Sequence, residues 1–484
     1  MQGPITYRAF TQRVRRHCRK DVVEAVAAAA ARQHMAELQQ GDGQGSPAAA
    51  GQFVLAGIAR AALLHGNDHR EAGVDPRDLK QMGDYYFNVE DPALDQAPGG
   101  DRLRGLLSRI AYEQFPFQFS IMENVGRTLP LLLDSMDACD GAPSPHDWRD
   151  RLGVDLEDLV RLAFVVFVAT VQNGGRIDRA TLRMPHVAPV FTPHSPDAAL
   201  EIVYRLFAWT PDQHKARGLE GQVAGYEKWS FNPLLARPLV AIDDALVAPA
   251  PRLILERVSP TGLYFDGVDA WGRAFTDSLG CGFENYIGRQ LDHLEHAEVH
   301  PEVTFGSPEQ RTVDYFVVAD EVVVLVEVKA SRPVTAMRHG TEAADEDFVR
   351  KIGHAADQIR RTMGVLDAGH SAVGHIPRDR PVRGLIVTLE PFHLANTFLF
   401  EDLIPPPREG LAIASSHEVE GVVAALADRT DVGQRLLRAL DPTPPKPPSL
   451  TAAAEGLDSG PNPILDDAWG RFTAVFDRLR QQSG

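Results

Sequence analysis

The stretch that decides the fold is TVDYFVVADEVVVLVEVKA, residues 312–330. Two segments rich in β-branched residues, Thr312 to Val318 and Val322 to Val328, are separated by only three residues. Short apolar, β-branched runs joined by a short connection predict two antiparallel strands that form a hairpin. We therefore expect a β-sheet in this part of the chain.

Three polar side chains stand out in this apolar hairpin. Asp314 lies inside the first predicted strand, and Glu327 and Lys329 lie at the end of the second. Because side chains alternate along a strand, Glu327 and Lys329 share one face, and the hairpin brings Asp314 close to Glu327. A hard cation such as Mg²⁺ would relieve the repulsion between the two carboxylates, since it takes oxygen ligands and leaves room for a phosphate. The alternative is a structural salt bridge at the end of the hairpin.

The acid-x-Lys tripeptide alone carries little weight. With seven lysines and 66 acidic residues, about one such match is expected by chance. A second match, Asp78-Leu79-Lys80, lies in a polar, helix-like context. The apolar strand before Glu327 and the acid on the neighbouring strand distinguish the first match from the second.

The hairpin residues resemble the central motif of the PD-(D/E)xK, or restriction-endonuclease-like, nuclease superfamily, although Val313 stands where the motif has proline. Glu284 fits the acid that members often carry on the helix before the hairpin. Gln358 fits the polar residue often found on the helix after it. The resemblance extends over about residues 275–389.

The resemblance implies hydrolysis of phosphodiester bonds that depends on Mg²⁺, for which Mn²⁺ would substitute. In this interpretation Asp314 and Glu327 bind the metal, with the carbonyl of Val328 as a further ligand, and Lys329 assists the attacking water. Two further residues would support the reaction, so the expected catalytic set is Asp314, Glu327, Lys329, Glu284 and Gln358. DNA is the expected substrate rather than RNA, since most members of the superfamily act on DNA.

A predicted helix from about Ala343 to Leu366 supports this interpretation. An apolar stripe would pack on the sheet; it consists of Phe348, Ile352, Ala355, Ile359 and Met363. A second stripe at helical spacing contains side chains that can donate to phosphate oxygens. Its expected nucleic-acid-binding members are Lys351, His354 and Arg361.

The periodicity of the whole chain predicts an α+β multidomain protein. Residues 1–235, with a loop at 39–51, predict an all-helical region of unknown role. Residues 236–440 predict an α/β restriction-endonuclease-like domain with a mixed central sheet, including extended segments at 239–247 and 253–263 and a helix from about 274 to 293. Residues 441–484 predict a proline-rich linker and a short C-terminal helix.

Composition limits the class of protein. The net charge is −17, so the chain does not coat nucleic acid indiscriminately. The bias towards arginine over lysine is typical of a GC-rich bacterial genome. The longest apolar run, residues 162–171, is too short to span a membrane. The absence of an apolar leader and three widely spaced cysteines predict a reducing, cytoplasmic location.

Two functional hypotheses follow from the sequence. The first is a bacterial, Mg²⁺-dependent DNA endonuclease that serves phage defence, restriction or a mobile element. Because no GxxxxGK[ST] loop is present, DNA translocation would need a partner protein. The second is a catalytically inactive, nuclease-like protein that binds nucleic acid or acts as a scaffold. Either hypothesis is compatible with a homodimer.

Overall fold

The computed structural model has an α+β fold that is 58% helical and contains mixed sheets. It describes most of the chain, namely residues 5–40, 51–91, 99–118, 120–178, 180, 183–184, 191, 194–306, 308–333, 335–404, 410–442, 447–458 and 460–483. Most of the predicted loop at 39–51, and residues 443–446 of the proline-rich linker, lie outside the described residues. No helix in these ranges is both long and apolar enough to cross a membrane.

Helices occur throughout the described part of the chain. In the first half they are α1 (Tyr7–Val14), α2 (Arg19–Gln40), α3 (Gln52–His65), α4 (Pro76–Phe87), α5 (Gly99–Gln114), α6 (Ile121–Gly126), α7 (Pro145–Leu152), α8 (Leu156–Gln172), α9 (Pro196–Phe207) and α10 (Pro211–Glu220), with a π-helical segment at Pro130–Ser135. In the second half they are α11 (Arg252–Glu256), α12 (Pro260–Leu291), α13 (Thr335–His339), α14 (Glu342–Asp367), α15 (Ser416–Leu426), α16 (Val432–Leu440) and α17 (Pro463–Ser483). Short 3₁₀ helices lie at Phe115–Phe117, Glu227–Trp229, Pro233–Leu235, Ser371–Val373, Glu401–Leu403 and Leu450–Ala454.

Within the described ranges, the strands form three sheets. They are β1 (Arg176–Asp178), β2 (Ala208–Trp209), β3 (Leu239–Ile242), β4 (Ala245–Val247), β5 (Glu298–Pro301), β6 (Thr304–Phe305), β7 (Gln310–Arg311), β8 (Tyr315–Ala319), β9 (Val322–Lys329), β10 (Val382–Thr388) and β11 (Leu411–Ser415). The largest sheet has the order β11-β10-β9-β8-β5.

The predicted hairpin lies at the centre of this five-stranded sheet. Strands β8 and β9 are antiparallel, with Ala319 opposite Val322 next to the turn. Strand β10 pairs parallel with β9, β11 pairs parallel with β10, and β5 pairs antiparallel with β8. The continuous valine run of β9 is typical of a strand that is covered on both faces. The prediction of a mixed sheet is confirmed.

Helices cover both faces of this sheet. On one face, the valines at even-numbered positions of β9 join a core with α12, α15 and α16. On the other face, Val323 and Leu325 join a second core with α14, where Phe348, Ile352, Ala355 and Ile359 are buried. The predicted apolar stripe of α14 therefore packs on the sheet, with Met363 half-buried at its end.

The helix before the hairpin differs from the prediction. The segment 253–263, which we expected to be extended, is helical and leads into α12, which begins at Pro260. Inside α12 the backbone of Gly272 is not helical, with φ 55° and ψ −125°, so the helix is kinked. Residues that carry a side chain rarely adopt this backbone conformation, whereas glycine adopts it without a steric penalty. The apolar residues of segment 253–263 have no periodicity that would distinguish a short helix from a strand.

The region expected to be all-helical contains two short strands, which corrects that prediction. Strand β1 pairs antiparallel with β4, and β2 pairs parallel with β3, so a second sheet has the order β1-β4-β3-β2. Strands of two or three residues are too short to show a two-residue period. This sheet spans the expected boundary at residues 235/236.

The cysteines also differ from the prediction. Cys139 and Cys281, which are 142 residues apart in sequence, form a disulfide, while Cys18 is free. Disulfides are rare in a reducing cytosol, so the cysteines no longer argue for that location. The sequence carried no sign of this pair, because pairing depends on the distance between the two Cα atoms in the fold and not on their spacing along the chain.

Candidate active site

Asp314 and Glu327 lie at facing positions at the open end of the hairpin. The register that places Tyr315 opposite Val326 places Asp314 across from Glu327. Oδ2 of Asp314 accepts a hydrogen bond of 2.6 Å from the backbone amide of Val328. This bond holds the carboxylate of Asp314 beside the peptide that follows Glu327. The hairpin thus brings together two of the predicted site residues, as expected.

Glu327 is wholly buried on the face of the sheet that α14 covers. Nζ of Lys329 donates to its Oε1. Within the described part of the chain its Oε2 has no hydrogen-bond partner. The side chain of Lys329 is 33% exposed, so its ammonium group lies between the buried carboxylate of Glu327 and the solvent. A buried carboxylate oxygen without a donor is costly for the fold unless a cation or a proton satisfies it.

The acids at this site hold protons more tightly than usual. Burial, reinforced by the charge of Asp314, raises the pKa of Glu327 to about 8. Burial and Asp314 also raise the pKa of Glu284 to about 7, with Lys329 partly opposing them. Burial raises the pKa of Asp314, against the hydrogen bond from Val328. Such raised values mark carboxylates for which the cost of burial outweighs the positive charge near them, and they are characteristic of functional sites.

Lys329 stays charged in this environment. Burial lowers its pKa, but the attraction of Glu327 and of the other site carboxylates more than offsets burial, so the pKa lies above its usual value. The ammonium group is therefore a permanent positive charge next to Glu327. It is suited to hold an anion or to orient a water molecule.

Glu284 reaches the site from the helix on the opposite face of the sheet. Tyr315, the neighbour of Asp314, donates from its hydroxyl to the backbone carbonyl of Glu284 at 3.2 Å. One turn later, Gly288 leaves room for this ring: a Cβ at that position would lie 2.4 Å from the tyrosine oxygen. These contacts dock α12 against the start of β8.

Gln358 lies behind Asp314 and contacts the backbone. Its Nε2 donates to the carbonyl of Thr312 at 2.8 Å. From the next turn of α14, Oγ1 of Thr362 accepts a hydrogen bond of 3.0 Å from the amide of Val313. Together these two side chains hold the segment that leads into Asp314. Sequence reasoning missed Thr362, although its i+4 spacing from Gln358 places both on one helix face.

The three residues expected to bind nucleic acid differ in their surroundings. Lys351 is half-buried; its Nζ lies 2.7 Å from Oδ2 of Asp347 and donates to the carbonyl of Arg332, also at 2.7 Å. His354 and Arg361 are exposed on the same helix. Two of the three side chains are therefore accessible to a ligand, and the third supports the loop after β9.

Arg332 and Glu390 are further charged residues at this end of the sheet that sequence reasoning missed. The parallel register places Thr388 of β10 beside Lys329 of β9. Glu390 therefore emerges next to the loop that carries Arg332, and Nε of Arg332 donates to its Oε1. Glu390 directly follows the predicted strand at 382–389, and an acid at the end of a strand is the sequence feature that could have identified it.

The donor set fits a hard divalent cation only in part. Asp314 and Glu327 offer carboxylate oxygens, one of them unpartnered among the described residues, and oxygen ligands are what Mg²⁺ takes in proteins. However, no group of three or more His, Cys, Asp or Glu side chains in the described ranges is placed to hold a metal ion. A magnesium ion that keeps several waters needs only one or two protein carboxylates.

The second acid-x-Lys tripeptide lies elsewhere, on a helix. Asp78 is in the first turn of α4, where its carboxylate accepts a hydrogen bond from the backbone amide of the N-cap residue Asp75 and forms an ion pair with Arg13 at 2.9 Å. Lys80 is paired with Asp84 at 3.1 Å. These contacts agree with the interpretation of this tripeptide as a helical surface feature.

Comparisons with models of protein families, with curated proteins and with solved structures found no match to this chain.

Proposed function

We propose that this protein is a Mg²⁺-dependent phosphodiester hydrolase that cleaves DNA through a PD-(D/E)xK-like domain. The observation that carries the proposal is the pair of facing carboxylates, Asp314 and Glu327, with Lys329 bound to the buried one. The kinked helix α12, the hairpin and α14 surround them in the order that the resemblance implies.

Asp314 and Glu327 would hold the metal ion, with the carbonyl of Val328 as a further ligand. When bound, Mg²⁺ stabilises negative charge on a phosphate and lowers the pKa of a coordinated water. Lys329 orients the attacking water and offsets the phosphate charge. Glu284, whose pKa lies near neutrality, is suited to accept or return a proton at the edge of the site. Gln358 positions Asp314 through the backbone of Thr312.

The biological context of the proposal is that of a bacterial, cytoplasmic nuclease in restriction, phage defence or a mobile element. A partner protein would supply any motor activity. The cysteines do not support the cytoplasmic location, because Cys139 and Cys281 form a disulfide and disulfides are rare in a reducing cytosol.

A non-catalytic, nuclease-like scaffold is the second candidate. It is favoured by the hydrogen bond from Lys329 to Glu327, which gives the buried carboxylate a positively charged partner without a metal ion. In that case the contact between Lys329 and Glu327 is a structural ion pair, and Mg²⁺ would leave the protein unchanged.

Cleavage of supercoiled plasmid, linear duplex, single-stranded DNA and RNA in Mg²⁺ or Mn²⁺ tests the proposal. Asp314→Asn keeps an oxygen that can accept the hydrogen bond from Val328 but removes the charge, and Lys329→Met removes the ammonium group. Both variants should lose cleavage by at least two orders of magnitude, since each removes a group that acts on the reacting phosphate or water. The matched control is Lys80→Met in the helical tripeptide, which should cleave like the wild type.

Thermal melting with and without Mg²⁺ separates the two candidates. A hydrolase should melt at a higher temperature in millimolar Mg²⁺, because the ion binds only the folded chain, and Asp314→Asn should abolish the rise. A wild-type protein that cleaves nothing and shows no metal-dependent rise would establish the scaffold.

A further inference from the structure

An exposed aromatic ring and an arginine form a stack near the candidate site. Phe265 on α12 is 67% exposed, although it is a large apolar side chain. Its ring packs edge-on against Tyr264, with 5.5 Å between the ring centroids. The guanidinium carbon of Arg332 lies 4.2 Å from the ring centroid of Tyr264 and 5.1 Å from that of Phe265. Tyr264, Phe265 and Arg332 are called the stacking cluster below.

The stacking cluster is held at the same end of the sheet as the site carboxylates. Arg332 is three residues after Lys329, so the two Cα atoms are separated by at most about 11 Å. Glu390 binds the guanidinium group of Arg332, and Lys351 donates to the backbone carbonyl of Arg332. The arginine is thus fixed from two sides by residues of the neighbouring strand end and helix.

Both halves of α12 contact this end of the sheet. Arg332 packs on Tyr264 in the first half, and Tyr315, beside Asp314, donates a hydrogen bond to the carbonyl of Glu284 in the second half. The non-helical backbone of Gly272 lies between the two halves.

We propose that the stacking cluster binds an unpaired nucleobase next to the phosphate that is cleaved. This inference rests on the proposed function and specifies its substrate class as single-stranded nucleic acid or a duplex with unpaired nucleotides. Proteins bind such strands by stacking bases on aromatic rings and arginine planes beside cationic groups. A base that is paired in an intact duplex cannot offer its face to Phe265.

The net charge of the chain makes local contacts decisive for binding nucleic acid. A chain with a net charge of −17 repels a polyanion at long range, so binding must come from local contacts. The stacking cluster offers an accessible aromatic ring that Arg332 supports from behind, and Lys329 and the exposed His354 and Arg361, which lie on adjoining elements, can supply positive charge. Stacking adds affinity that does not depend on the net charge.

A binding assay with Asp314→Asn in the absence of divalent metal tests the inference without cleavage. The probe is a short single strand that contains 2-aminopurine, whose fluorescence is quenched when the base stacks, and the same strand in a blunt duplex. Phe265→Ala should weaken single-strand binding about five- to a hundredfold and remove the quenching. Phe265→Trp should retain both, and duplex binding should change less than twofold. The control is Phe87→Ala, which removes another exposed aromatic ring, 54% exposed, on α4.

The outcomes distinguish this inference from the proposed function. If the wild type cleaves DNA but Phe265→Ala binds and cleaves single strands as well as the wild type does, the stacking cluster is not a base-binding site and the hydrolase stands. If the strand is bound with quenching but the wild type cleaves no nucleic acid, the hydrolase fails and the cluster remains a base-binding site. If neither strand nor duplex binds, the cluster is not a base-binding site, and the hydrolase is wrong as well if the wild type cleaves no nucleic acid.

Discussion

A buried ion pair between Arg127 and Glu420 should couple the N-terminal helices to the domain that carries the candidate site. Nε and Nη2 of Arg127 donate to the two carboxylate oxygens of Glu420, the second bond at 2.6 Å. The hydroxyl of Tyr286 donates to the same carboxylate at 2.6 Å. Both charged side chains are buried. Arg127 follows α6, whereas Glu420 lies on α15, so the pair joins elements 293 residues apart in sequence.

Glu420→Gln should destabilise the protein by about 3–5 kcal/mol, because it leaves the guanidinium group of Arg127 buried without a counter-charge. The hydrogen bonds support this magnitude: the glutamate accepts two bonds from a charged group, and each such bond contributes about 1.5–3 kcal/mol. Replacing both partners with apolar residues of similar size, Arg127→Met with Glu420→Leu, should cost far less than either single change, since no charge is left unpaired.

Urea unfolding, followed by circular dichroism and by tryptophan fluorescence, measures these differences. Arg127→Met, Glu420→Leu and the variant that carries both form a thermodynamic cycle with the wild type, and we expect a coupling free energy of at least about 2 kcal/mol. The two probes should report a single transition in the wild type, because the pair and the shared core join both halves of the chain. A coupling free energy near zero, or two separate transitions in the wild type, would refute the reasoning.

Three further predictions concern particular residues. Gly272→Ala should lower the free energy of unfolding by about 1–3 kcal/mol, because φ is 55° at this position. Gly280→Ala in the same helix is the control and should leave the free energy of unfolding unchanged or raise it. Equal effects of the two substitutions in thermal melts would contradict the kink. Burial lowers the pKa of His214 from 6.5 to about 4. Between these two pH values the histidine is protonated in the unfolded chain but not in the folded chain. The folded state therefore loses stability as the pH falls from 6.5 towards 4. In urea unfolding the wild type should lose about 2 kcal/mol more than His214→Gln does between pH 7 and pH 5, and an equal loss in the two proteins would assign it to other groups. Reduction of the Cys139–Cys281 disulfide should lower the free energy of unfolding by about 2–5 kcal/mol. Thiol titration of the unfolded, unreduced chain should find one free thiol, and three free thiols would refute the pairing.

The candidate site shows how far local pattern extends. The alternation of β9 predicted that Glu327 and Lys329 share a face, and the hairpin predicted that Asp314 faces Glu327; both features are present in the structure. The helical spacing of α14 predicted its buried stripe. These features depend on neighbours within one strand, one turn or one helix face, where the backbone period decides the geometry.

The sequence by itself determined the hairpin, the covered sheet and the three polar residues at its open end, because β-branched runs and alternation act over a few residues. Only the tertiary structure decided the kink at Gly272, the pairing of Cys139 with Cys281 and the packing of Arg332 on Phe265. Each of these depends on segments that are distant in sequence, and the free energy that holds them comes from burial of the whole core. A local pattern records which face of an element is apolar, but not which distant element will cover that face.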